Sequence, residues 1–142
     1  MNDAALQQLE TVLDREIQLA EELAATLTTE RALLTGVAPA AVVEQAAIKT
    51  ALVGRIENLE SERRSLWEPA VVESSARVNA RWQSLMEVVA RCRKANDVNG
   101  YIINTRSGQI RQLIDVVRGG APVTYGPAGK TFSRALRALA RA

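Results

Sequence analysis

Leu6, Leu13, Ala20, Leu27 and Leu34 fall seven apart along the chain, and Leu9 and Leu23 occupy a second row of the same repeat. This is the heptad spacing of a coiled coil rather than the 3.6-residue period of an ordinary surface helix. It predicts a helix from about Asp3 to Leu34, with Glu16 and Glu30 interrupting the second row. Thr35-Gly36 ends it, because Gly accepts the left-handed conformation just past a helix, and Pro39 marks the restart. A second helix is predicted over about Pro39 to Trp67. There Val42, Leu52, Ile56, Leu59 and Leu66 keep the 4-3 spacing, while Lys49 and Arg63 take seam positions. Charged residues on a seam suggest snorkelling at a partly open bundle edge. Pro69 breaks or kinks the chain.

The third segment steps from Val78 through Trp82, Leu85, Val89, Cys92, Asn96, Asn99, Ile103, Arg106, Ile110 and Leu113 to Val117 by alternating fours and threes. Counted from Ala70 to the Gly119-Gly120 stop, it is about 50 residues, or roughly 75 Å at 1.5 Å per residue. The first two helices are about 30 residues each, roughly 45 Å, and cannot cover it. Some of its apolar seam must lie bare, be folded back upon, or be given to another chain. Within it, Asn96-Asp97-Val98-Asn99-Gly100 admits two readings. Asn-Gly is a local turn signal, yet the heptad phase is the same on both sides of Gly100, which predicts a continuous helix. Paired seam asparagines fix register through side-chain hydrogen bonds, either within the protein's own bundle or against a partner. A helical Gly would let another backbone approach closely.

After Gly119-Gly120, a linker from Ala121 to Gly129 carries Tyr125, and Thr131 to Ala142 forms a short amphipathic stretch. Phe132, Leu136 and Leu139 make its apolar face, against Arg134, Arg137 and Arg141. Twelve residues are marginal as an isolated helix. The predicted fold is therefore all-α: an antiparallel bundle or coiled coil of three long helices over residues 1–118, followed by a linker and tail over 119–142.

Composition agrees: hydrophobic residues are 47%, charged residues 24% and aromatics only 4%, which suits an aliphatic helical core. The start lacks the apolar core of a secretory signal, no run approaches the roughly 18 residues needed to span a bilayer, and Cys92 is the single cysteine. A cytoplasmic, reducing compartment is expected, with no membrane insertion. The net charge of +2 hides a gradient. Residues 1–68 carry 6 Lys/Arg and 12 Asp/Glu, residues 69–118 carry 8 and 4, and the last 24 carry 4 and none. Either acidic and basic helices lie antiparallel and attract, or the basic end meets an acidic partner. With no His and one Cys, there is no nucleophile–base pair, and no enzyme, cofactor or metal is expected. Gly126 to Thr131 ends like a phosphate-binding loop, but position 124 is Thr where the pattern needs Gly. Four basic tail residues without a reading element are weak grounds for nucleic acid.

Three features together resemble the FlgN family of flagellar export chaperones: the helices QLETVLDREIQLAEELAATLTTERALL and IKTALVGRIENLESERRSLW, then ARCRKANDVNGYII leading into QIRQLIDVVRGG, and the late YGPAG. Ala128 departs from the polar residue expected in the last of these. The resemblance implies a small cytoplasmic chaperone of the bacterial flagellum. It would bind helical C-terminal segments of hook-associated proteins, prevent their premature assembly, and deliver them to the type III export gate. The expected partner-binding residues are Asn96, Asn99, Gly100, Ile103, Ile110, Leu113 and Val117 on the third helix. Tyr125, Phe132, Leu136 and Leu139 beyond it complete the set, with the gate as the surface suggested for Tyr125. The rival reading is a homodimeric coiled coil or assembly scaffold, in which the bare seam pairs with a second copy.

Overall fold

A computed structural model describes residues 3–118. Over that span the chain is helical, with helices α1 (Asp3–Leu34), α2 (Pro39–Leu66), α3 (Pro69–Val72) and α4 (Ala76–Arg118) in order. The tail of residues 119–142, with Tyr125, Phe132, Leu136 and Leu139, lies outside the described residues.

α1 is the central helix, packed against both α2 and α4. That position explains why it buries more than the two rows of a simple coiled-coil seam. Leu9, Glu16, Leu23 and Glu30 form one buried row, Leu13, Ala20, Leu27 and Leu34 a second, and Val12 and Leu19 widen the stripe toward a second neighbour. Glu16 pairs with Arg63 and Glu30 with Lys49, so the partner number falls as the α1 number rises and α2 runs antiparallel to α1. Asp14 bonds Arg81, Ala20 bonds Cys92 and Leu27 bonds Asn99, at separations of 67, 72 and 72. That near-constant offset makes α4 run parallel to α1. The acidic first helix and the basic last one thus lie side by side, joined by Asp14–Arg81 and Glu21–Arg91, but in parallel rather than antiparallel sense.

The third segment differs from its predicted span. It is not continuous from Ala70: Pro69 opens the four-residue α3, which follows an extended Glu68, the conformation a residue before proline prefers. α4 then starts afresh at Ala76 and runs 43 residues, about 65 Å at the helical rise. The break has a local cause. Ser75 Oγ accepts the Val78 amide at 3.3 Å, a cap for one of the donors a helix start leaves unpaired. Asn79 Nδ2 in turn donates to the Val72 carbonyl at 3.1 Å.

Gly100 lies inside α4, so the heptad phase prevails over the Asn-Gly turn signal. However, a Cβ built on Gly100 would meet nothing within 4 Å, so among the described residues no other backbone approaches it. Arg63 also departs from its predicted role. It does not snorkel at an edge; its side chain is wholly buried.

Candidate partner-binding surface

Two polar clusters inside the bundle account for the charged and amide residues on the seams. In the first, Arg63 of α2 reaches Glu16 of α1, with Nε 3.1 Å from Oε1 and 3.0 Å from Oε2. Its guanidinium carbon lies 4.8 Å from the Trp82 ring centre and 5.8 Å from that of Trp67. The two rings sit 5.0 Å apart, tilted by 58°. Arg63 Nη1 and Nη2 have no hydrogen-bond acceptor, so the indole faces and Glu60, at 4.0 Å from Nη2, supply the remaining compensation for its charge. Burial pushes the Glu16 carboxyl up to about 7, against the pull of Arg63.

The second cluster ties all three long helices together. Asn99 is fully buried. Its Nδ2 donates to the Leu27 carbonyl and to Glu30 Oε1, both at 2.9 Å, and its Oδ1 accepts Arg31 Nε at 3.0 Å. Lys49 Nζ bridges Glu30 and Asn96, 3.1 Å from Glu30 Oε2 and 3.2 Å from Asn96 Oδ1. Asn96 and Asn99 thus spend their hydrogen bonds inside the chain and set the register of α4 against the hairpin of α1 and α2. Cys92, two turns earlier, donates its thiol to the Ala20 carbonyl at 3.3 Å. Burial pushes that thiol up to about 11, so near neutrality it is a hydrogen-bond donor and not a thiolate nucleophile.

Beyond Asn99 the same seam emerges from the protein. Val78, Leu85, Val89 and Cys92 are buried and Ile103 is half-buried, whereas Ile110 is 57% exposed, Leu113 66% and Val117 74%. Two observations locate the transition. Arg106 Nη1 donates to the carbonyl of Leu34, the last residue of α1. The antiparallel register that sets Lys49 beside Asn96 and Arg63 beside Trp82 brings the start of α2 level with Arg106 as well. The hairpin therefore ends at Arg106, and α4 projects past it by about a dozen residues, or roughly 18 Å.

Of the expected site residues, Ile103, Ile110, Leu113 and Val117 lie along this projecting seam, and Asn96, Asn99 and Gly100 lie beneath it in the bundle. Sequence spacing missed the rest of the exposed apolar surface at this end. Ile114 and Val116 of α4, Tyr101 on its outer side, Val37 of the hairpin turn, and Val43 and Ile48 of α2 are all exposed. Ile114 was detectable as a widening of the stripe, since it adjoins Leu113; the others are off the 4-3 rows and carry no periodic signal. Each exposed large hydrophobic side chain among the described residues lies at or near this end, and none by the Trp67–Trp82 pair. Among the described residues no helix is long and apolar enough to cross a membrane.

No curated protein and no solved structure matches the chain. Residues 1–132 match the family model described as FlgN protein, which spans the bundle, the Asn96–Gly100 segment and most of the tail. With that match extending over nearly its whole length, the chain belongs to the FlgN family of flagellar export chaperones.

Proposed function

We propose that this protein is a cytoplasmic, non-enzymatic chaperone that holds helical C-terminal segments of hook-associated flagellar proteins on the projecting seam of α4. The bound segment is kept from premature assembly and handed to the type III export gate. One observation carries the reading: the 4-3 seam that packs α4 on α1 from Val78 to Asn99 continues in the same phase to Val117, and past Arg106 nothing of the described chain lies upon it. A stripe with that geometry suits a helix laid in a groove. Ile103, Ile110, Leu113 and Val117 would be its contacts, together with Phe132, Leu136 and Leu139 of the tail. Each apolar side chain moved from water into such an interface contributes roughly 1.5–3 kcal/mol. Tyr125 is assigned to the gate rather than to cargo.

The test is capture of a hook-associated protein's C-terminal segment by the full chain and by its Leu113→Asp/Val117→Asp variant. The variant should lose capture while keeping its melting temperature, because neither residue is in the core. Undiminished capture would remove the cargo from this seam. The rival reading, a homodimer joined through the same seam, rests on the same exposure, and solution mass separates the two. A dimer that the double substitution converts to monomers would favour self-pairing.

A further inference from the structure

The end of the molecule that leaves its apolar seam uncovered is also its most one-sidedly basic stretch. From residue 101 onward the chain has seven Lys/Arg and a single acid, Asp115. Earlier in α4, Arg81 and Arg91 face Asp14 and Glu21 of α1. Past Arg106 neither α1 nor α2 continues alongside, and among the described residues Arg111 and Arg118 have no carboxylate partner. Arg111 Nε lacks even a hydrogen bond, although it is shielded from solvent. Arg111 and Arg118 are seven apart, so they form one row beside Ile103, Ile110 and Val117, on the side that Ile114 widens. Arg91, equally far from the seam on its other side, still reaches Glu21.

We propose that the seam is selective for an amphipathic helix with Asp or Glu on its flank. The apolar rows give hold, and the Arg111–Arg118 row donates to the partner's carboxylates, as Arg81 and Arg91 donate to those of α1. The span from Ile103 to Val117 is about four helical turns, roughly 21 Å, and fixes the length of the segment. This rests on the docking reading above and adds to it the charge of the partner. The stripe continues the 4-3 rows of the buried seam and has Arg106 within it, which suits a helix better than a flat lipid surface.

The test uses the full chain and two fluorescent 15-residue helical peptides with the same Leu/Ile seam, one flanked by Glu and one by Lys. At low salt the Glu peptide should bind at least about tenfold tighter, since charge complementarity acts chiefly on partner choice and encounter rate. The gap should close near 1 M salt, where the screening length is about 3 Å. Arg111→Glu/Arg118→Glu should reverse the preference, and Leu113→Asp/Val117→Asp should abolish binding of both peptides. Equal affinities that both vanish with Leu113→Asp/Val117→Asp would overturn charge selection and leave the docking reading standing. Binding untouched by that variant, or no binding of either peptide, would overturn both. Sedimentation with phosphatidylglycerol vesicles that requires Leu113 and is blocked by the Glu peptide would assign the surface to membranes instead. A dimer broken by the same variant would assign it to a second copy.

Discussion

At the scale of single residues, the interruptions of the apolar rows prove more informative than the rows. α1 has two, Glu16 and Glu30, and α2 has two, Lys49 and Arg63, fourteen apart in both cases. Laid antiparallel, they meet as Glu16–Arg63 and Glu30–Lys49. The matching spacing was legible in the sequence once both helices were drawn; which pair would be dry was not, because that depends on the two indoles closing over Arg63. Removing one partner of a buried ion pair strands the other, so Arg63→Ala should cost about 3–5 kcal/mol, read as a lowered urea midpoint. Titration gives a second check. Glu16 holds its proton to about 7 in the folded chain against 4.5 for the ordinary carboxyl. A group whose folded value is raised contributes stability below the unfolded value and loses it as pH climbs through the folded one. Stability should therefore decline between about pH 4.5 and 7. Glu16→Gln, neutral throughout, should flatten that decline; an unchanged slope would mean that the titration lies elsewhere.

Among the elements, α4 is where sequence and structure can be compared most closely. Its continuity through Gly100 was legible because a loop would have had to preserve the 4-3 phase by accident. Its start was not. Between Ala70 and Val78 only Val71 and Val72 are large and apolar, too few to mark a phase, and the break depends on the hydroxyl of Ser75 capping the Val78 amide. Gly100 itself has a consequence at this scale. Among the described residues a Cβ there meets open space, and Gly in a helix interior costs about 0.5–1 kcal/mol relative to Ala. Gly100→Ala should thus raise the thermal midpoint, by a few degrees for a domain of this size. If Gly100 serves to let a partner backbone approach, the same substitution should weaken cargo capture while it stabilises the free protein. A stabilised variant with full capture would assign the glycine no part in binding. Asn99→Ala should act in the opposite direction. It leaves the Glu30 carboxylate and the Leu27 carbonyl without their Asn99 donor, at a cost of about 1–3 kcal/mol.

On the scale of the whole molecule, the exposed apolar side chains and the polar clusters describe a gradient along one axis. The Trp67–Trp82 end is closed by aromatic packing over a buried ion pair. The middle is pinned by Asn99 and Lys49, and the far end is a single helix that has outrun its neighbours. Local opening follows buried contact density, so free energies of opening should fall in the same direction. In native-state hydrogen exchange, amides of Leu85 to Cys92 should exchange only with global unfolding. Those from about Ile110 to Arg118 should exchange within the first time points, since an unsupported helix of that length is marginal in water. A bound helical segment should restore protection from Ile103 to Val117, and should slow the globally exchanging amides only as far as mass action stabilises the whole folded chain. This separates two designs. If the projecting end is already as protected as the bundle in the free protein, something covers it before cargo arrives, and the seam is no open receptor. If it is unprotected and becomes ordered only with cargo, the core carries the stability while the overhang carries the binding. Export can then strip the cargo from α4 without unfolding the chaperone.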